Sequence, residues 1–325
     1  MKVSLIFTVK NEAESIRALL DSIAAQTHLP DEVIVCDGGS TDGTLDALRA
    51  ESRLPIRIVE QPGANISQGR NAAIEAASGE IIASTDAGVR LDPDWLKHLA
   101  APFERDPQTS VVAGFFLPAP QTAFEVALGA TVLPELRDIR PETFLPSSRS
   151  VAFRKEAWRA VKGYPEWLDY CEDLIFDFAL REKYGPLAFA PQAIARFRPR
   201  RSLRAFFKQY YLYARGDGKA NLWLKRHLIR YGTYVAAVPG IALLGAKVSP
   251  WFLLLYLIGG AAYMRPPYRR LWPKLRAMTV ADKVKAVALV PVIRVVGDVA
   301  KMIGYPVGVM WRAKNRQSLS EKPPD

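Results

Sequence analysis

Thr8, Asp37 and Asp86 each stand at the end of a short apolar run, the runs covering residues 3–9, 33–36 and 81–84. A carboxylate in such a place can hold a metal ion, or it can simply close a turn or cap a helix. Asp86 lies in "STDAGVRLDPDW" and is followed by Ala87 and Gly88, so no second carboxylate stands two residues on. Further along, Glu172 and Asp173 sit side by side where a helical pattern begins. Acids are favoured there by the helix dipole alone, whatever else they do.

The elements that must position these residues are legible as alternating patterns. Residues 3–9 read as a strand, and Ile16, Leu19, Leu20 and Ile23 then fall on one helix face. After a second strand over 33–36, "GSTDGT" forms a turn whose Ser and Thr can cap the helix carrying Leu45 and Leu48. Residues 56–59 make a third strand, 66–77 a helix stopped by Gly79, and 81–84 a fourth strand. Asp92 and Pro93 open another helix, with Asp92 as N-cap and Pro93 in its first turn. Such alternation predicts an α/β fold with a mostly parallel central sheet. Ligands on these sheets bind at the carboxyl ends of the strands, the edge on which Thr8, Asp37 and Asp86 converge. Beyond a run at 111–116 the pattern loosens through "PSSRSVAFRKEAW", until a helix is entered near Glu172 and Asp173 and closed by Gly185. No GxGxxG follows the first strand, which excludes a dinucleotide enzyme of the usual kind.

Charge divides the chain. The first 195 residues carry 19 Lys+Arg against 28 Asp+Glu, and the remainder carries 25 against 5. An acidic catalytic half and a basic half facing an anionic surface follow from that split. Cys36 and Cys171 have no metal-ligand spacing and read as reduced thiols of a cytoplasmic domain. The N-terminal apolar run meets Lys10, Asn11 and Glu12 at once and reads as a strand, not a signal peptide. "RSLRAFFKQYYLY" puts Leu203, Phe206, Phe207 and Tyr210 on one face, as in a helix lying in a membrane interface or packed on the domain. Two apolar runs, 231–246 and 251–264, are flanked by Arg226 and Arg230 before and by Arg265, Arg269 and Arg270 after. Both flanks being basic fits a hairpin with cytoplasmic ends, or a re-entrant pair. A third run, 286–311, contains Arg294, Asp298 and Lys301, charges too costly for a bilayer centre; it should be interfacial or pack on the other helices. The cations flank apolar runs and form no continuous stripe, which argues for a membrane and against nucleic acid.

Four blocks, "VSLIFTVKNEAESIRALLDSI", "DEVIVCDGGSTDGT", "GRNAAIEAASGEIIASTDAG" and "CEDLIFDFAL", resemble in order and spacing the family 2 glycosyltransferases of GT-A fold. The resemblance covers roughly residues 1–220. It implies transfer of a sugar from a nucleotide diphosphate sugar donor with inversion at the anomeric carbon. By the same resemblance Thr8, Lys10 and Glu12 border the base and ribose, and Asp37 accepts from a base N–H. Arg70 matches a cation near the donor diphosphate. Asp86 matches the first aspartate of the Asp-x-Asp metal motif, whose second position is Gly88 here. Two roles follow for Asp86. It can hold Mg²⁺ or Mn²⁺ together with water and diphosphate oxygens. Or it can bind the ribose while cations such as Arg70 neutralise the leaving group. Asp173 matches the general base that takes the acceptor proton, and Glu172 would orient the base or the acceptor.

The Gln-x-x-Arg-Trp signature of processive members is missing, since Gln209 is followed by Tyr210, Tyr211, Leu212 and Tyr213; one sugar per encounter is expected. "YARGDGKANL", over 213–222, reads as a mobile loop whose Arg215 and Lys219 could close over the diphosphate. The expected organisation is a GT-A catalytic domain over 1–200, a basic interface helix and loop over 201–230, membrane-associated helices over 231–312 and a disordered tail over 313–325. The expected setting is the cytoplasmic face of the inner membrane, with a lipid-linked or glycan acceptor of the cell envelope. Gly88 also raises a retired transferase acting as a scaffold, against which Asp37, Asp86 and Asp173 argue.

Overall fold

The computed structural model describes residues 1–315. The described chain divides into two compact units, one built from residues 1–119 and 136–198, the other from 120–135 and 199–315.

In the first unit the expected alternation is realised by β1 (Val3–Val9), α1 (Ile16–Ala24), β2 (Glu32–Asp37), α2 (Thr44–Arg49), β3 (Ile56–Glu60), α3 (Ile66–Ala76) and β4 (Ile81–Ser84). There follow β5 (Val89–Leu91), α4 (Trp95–Arg105) and β6 (Val111–Pro118). After α5 (Ala123–Val132), which belongs to the second unit, come β7 (Val151–Arg154), α6 (Lys155–Ala160), α7 (Glu172–Tyr184) and β8 (Ala188–Phe197). The sheet order is β3-β2-β1-β4-β7-β6-β8-β5. β3, β2, β1 and β4 run parallel. β7 lies antiparallel to both β4 and β6, β8 parallel to β6, and β5 antiparallel to β8. The sheet is therefore parallel in its first half and mixed in its second. β7 and β8 come from the stretch where sequence periodicity loosens.

Strand alternation divides the core between the two faces of the sheet. Leu5, Phe7, Val33 and Val35 pack with Ile16, Leu19, Leu20 and Ile23 of α1 and with Trp95, Leu96 and Leu99 of α4. Ile6, Ile34 and Ile82 point the other way, onto Ala73 and Ile74 of α3 and Phe176 and Leu180 of α7. Two expected caps are not formed. Asp94, not Asp92, stands at the N-cap of α4. Asp92 instead takes a two-pronged bond from Arg196, 2.5 and 2.8 Å long, on neighbouring β8. Gly43 precedes α2 in a left-handed conformation, φ 85°. The Thr44 hydroxyl accepts the Glu12 N–H at 2.8 Å, so it ties two loops and caps no helix.

The second unit is helical: α5, α8 (Leu203–Ala220), α9 (Leu224–Tyr231), α10 (Val238–Lys247), α11 (Leu254–Leu271) and α12 (Val280–Lys314). Between α9 and α10 the chain stays helical through a wider π turn, Gly232–Ala237. The resulting helix, Leu224–Lys247, has 24 residues and an 18-residue stretch of mean hydropathy 1.3, long and apolar enough to cross a membrane. Segment 213–222 is not a loop, because α8 continues to Ala220. Its Gly218 lies where any Cβ would strike the Tyr305 carbonyl of α12, and Gly304 and Gly308 of α12 face the Tyr211 and Arg215 carbonyls in the same way. These glycines let two helix backbones touch; they are not hinges. Lys219 is buried with its ammonium 4.6 Å from the Trp311 ring centre. The charges of α12 pack on the other helices: Asp298 accepts Arg230 Nε at 2.8 Å, and Lys301 lies 4.9 Å from the ring centre of Tyr210. α12 carries helix to Lys314, two residues into the expected disordered tail. The rest of that tail, 316–325, lies outside the described residues.

Candidate active site

α3 organises the site. A capping box fixes its start: the Asn65 side chain accepts the Gln68 N–H at 2.9 Å, and Gln68 Oε1 accepts the Asn65 N–H at 3.0 Å. From this helix Asn65 Nδ2 donates to the Glu166 carbonyl (2.7 Å), Ser67 Oγ to Leu168 (3.1 Å) and Asn71 Nδ2 to Tyr164 (2.8 Å). Asn71 Oδ1 also accepts the Tyr164 N–H at 2.9 Å. One helix thereby pins residues 164–168, the loop that delivers the chain to α7. Cys171, at the α7 N-cap with φ 65°, makes the final turn, in a region few non-glycine residues adopt.

Arg70 of α3 lies at the centre. Its side chain is only 3 % exposed, with Nη1 2.6 Å from Glu172 Oε1 and Nη2 2.9 Å from Asp86 Oδ1. The guanidinium stands 5.3 Å from the Tyr164 ring centre. Burial opposes its charge, and Glu172 followed by Asp86 outweighs that opposition. Arg149 approaches the other oxygen of Asp86, Nε to Oδ2 3.3 Å, with 23 % of its side chain exposed. Sheet register accounts for this meeting. Ser84 of β4 pairs with Val151 of β7, and continuing that antiparallel register by two residues puts Asp86 opposite Arg149. Thr85 Oγ1 secures the pair by donating to the Arg149 carbonyl at 3.0 Å. Phe197 and Phe116 flank the Arg149 guanidinium, with ring centres at 4.7 and 6.0 Å.

Asp173 follows Glu172 at the first turn of α7 and is partly buried. Burial, and then the charge of Glu172, push its carboxyl up to about 7, against the pull of Arg70, the Leu174 N–H and Arg149. Asp177, one turn on and 3 % exposed, is held well above the carboxylate range by burial and then by Asp173. A carboxyl that titrates near neutrality can accept a proton from an attacking hydroxyl and release it again.

Thr8, Lys10, Glu12 and Asp37 form a second group at the carboxyl ends of β1 and β2. Asp37 is buried and accepts the N–H groups of Gly39 (2.9 Å) and Ser40 (3.0 Å), which holds the turn after β2. Glu12 Oε2 accepts from Ser15 Oγ at 2.5 Å. The Thr8 methyl faces Gly69 of α3 so closely that a Cβ there would come within 3.0 Å of it. Lys10 is exposed.

The model for Glycosyl transferase family 2 matches residues 4–140, the segment holding Thr8, Asp37, Arg70 and Asp86. The chain is 26% identical over 224 residues to the O-antigen chain rhamnosyltransferase RfbN of Salmonella typhimurium, covering 65% of this chain and 71% of that protein. It is 26% identical over 292 residues to the succinoglycan biosynthesis protein ExoA of Rhizobium meliloti, covering 81% and 87%. The chain is a glycosyltransferase, with family 2 resemblance over residues 4–140. Its fold is that of the GT-A enzymes. The mannosyltransferase PcManGT of Pyrobaculum calidifontis, solved with GDP-Man and Mn2+, superposes with a TM-score of 0.63 at 22% identity over 89% of this chain and 87% of that one. TarS 1-349 of S. aureus, solved with UDP-GlcNAc, gives a TM-score of 0.51 at 20% identity over 98% and 92%.

The residues of this transferase do not by themselves fit a divalent ion. Asp86 is the lone carboxylate of its motif, and each of its oxygens already faces a guanidinium. Among the described residues no three His, Cys, Asp or Glu side chains are grouped to hold an ion. Sequence reasoning missed Arg149, Asn71 and Tyr164. "SSRS" carries no signal that would single out its arginine; only the β4–β7 pairing reveals it. Arg70 was expected to face the donor, yet it is buried among the acids.

Proposed function

We propose that the transferase moves a single sugar, with inversion, from a nucleotide diphosphate sugar to a hydroxyl of a lipid-linked or glycan acceptor, Asp173 being the general base. The observation that carries this reading is the carboxyl of Asp173, titrating near 7 at the start of α7 beside the buried Arg70–Glu172–Asp86 network. In the transfer the acceptor oxygen bonds to the anomeric carbon as the bond to the diphosphate breaks, and the hydroxyl proton goes to Asp173. Arg70 and Glu172 act on it indirectly: Glu172 raises its proton affinity, and Arg70 keeps the acids in one arrangement. Thr8, Lys10, Glu12 and Asp37 receive the base and ribose, Asp37 and its turn being held in shape before any ligand arrives.

Residues 1–200 serve as the catalytic domain, 201–230 as a basic interface segment and 231–312 as the membrane attachment, at the cytoplasmic face. Support comes from the apolar helix over Leu224–Lys247 and from exposed Leu243, Trp251, Leu257 and Ile258. Attachment would keep the site near an amphiphilic acceptor, and the resemblance to an O-antigen chain rhamnosyltransferase and a succinoglycan biosynthesis protein supports an envelope or surface glycan. Asp173→Asn should lower turnover by about 10²–10⁴-fold while nucleotide binding, followed by thermal shift, stays near wild type. Lost binding with the rate loss would show that Asp173 belongs to the donor pocket instead.

A further inference from the structure

We propose that Arg149 is the cation that meets the donor diphosphate in this transferase, so that nucleoside diphosphate binding needs no divalent ion. The inference rests on the transferase reading above and goes beyond it. Three observations carry it. Gly88 removes one of the two carboxylates a motif metal would use. Asp86, the other, faces Arg70 through Oδ1 and Arg149 through Oδ2. Of these two guanidiniums, Arg70 is sealed at 3 % exposure, whereas Arg149 keeps 23 % of its side chain open at the carboxyl edge of the sheet.

Arg149 is also held ready. Its backbone is bonded to Thr85, its guanidinium lies against Phe197, and Asp86 orients Nε, so little freedom is lost when an anion arrives. A guanidinium offers a planar fork of donors suited to phosphate oxygens. When the anomeric C–O bond breaks, its electron pair goes to the β-phosphate oxygen, and the added negative charge develops on the diphosphate. A fixed cation stabilises that charge more than it stabilises the bound donor. Asp86 then acts as a positioning residue for Arg149.

The test measures binding of UDP, GDP and dTDP to the full chain in excess EDTA and in excess Mn²⁺, with the corresponding monophosphates beside them. The tightest diphosphate should bind the wild type about equally in both buffers. Arg149→Ala should weaken that diphosphate about tenfold or more while leaving its monophosphate within about twofold, and Arg149→Lys should recover part of the loss. A purely structural role would weaken both nucleotides together and lower Tm, which overturns the proposal. Diphosphate binding that appears only with Mn²⁺ overturns it as well. If no nucleotide of the panel binds in either buffer, the transferase reading of the site falls, and this inference with it.

Discussion

At the scale of single residues, the site is organised by the cost of burying charge. Arg70 is tolerable in the interior because Glu172 and Asp86 answer it, and breaking such a pair typically costs about 3–5 kcal/mol. Asp173, beside that network, retains a carboxyl titrating near 7. The rate should therefore climb with pH through about 7, as the base loses its proton, and a kcat/KM profile would read that limb directly. Stability should move the other way. The folded protein binds a proton at Asp173 that the unfolded chain has already released, so stability falls as pH rises from about 4 to about 7. Asp173→Asn removes that penalty, and its Tm should exceed wild type at pH 8 by more than at pH 4. A Tm difference independent of pH would mean that Asp173 keeps an ordinary carboxylate affinity for its proton.

Among the elements, two contacts matter most. α3 joins the strand edge to α7 through Asn65, Ser67 and Asn71, which bond the backbone of one loop at Tyr164, Glu166 and Leu168. α8 and α12 touch through glycines, with Gly308 against the Arg215 carbonyl and Gly304 against that of Tyr211. Gly308→Val forces a branched side chain into the α8 backbone and should destabilise the helical unit by about 1–3 kcal/mol or more. Thermal unfolding of the detergent-purified protein would reveal it as a lower Tm. An unchanged Tm would mean that the two helices stand further apart. Sequence periodicity read "YARGDGKANL" as a loop because glycine ordinarily breaks helices. Here the glycine is required by a neighbour far away in sequence, which no local pattern records.

For the whole molecule, charge and apolar surface point to the same kind of partner. The chain from Arg196 onward has an excess of 20 positive charges. The same part exposes Trp251 at 77 %, Leu257 at 68 % and Ile258 at 67 %. Binding to vesicles should accordingly be strong with anionic lipid, weaken on neutral phosphatidylcholine and lose only its electrostatic part in high salt. Flotation with both vesicle types at low and high salt would measure this. Equal recovery on anionic and neutral vesicles would assign the basic residues some other task.

Sequence alone determined the parallel half of the sheet, the helices that cover it and the strand-end positions of Thr8, Asp37 and Asp86. Those features follow from periodicity and turn chemistry, which are written within a few residues of where they act. The start of α7 was legible for the same reason, as was its end at Gly185. The tertiary structure decided which of these residues meet. It sealed Arg70 between acids, continued the β4–β7 register until Arg149 stood opposite Asp86, and turned Gly218 of α8 into a helix contact. Each of those outcomes pairs groups distant along the chain, and the choice among possible pairings is made by packing and by the cost of leaving a buried charge unanswered.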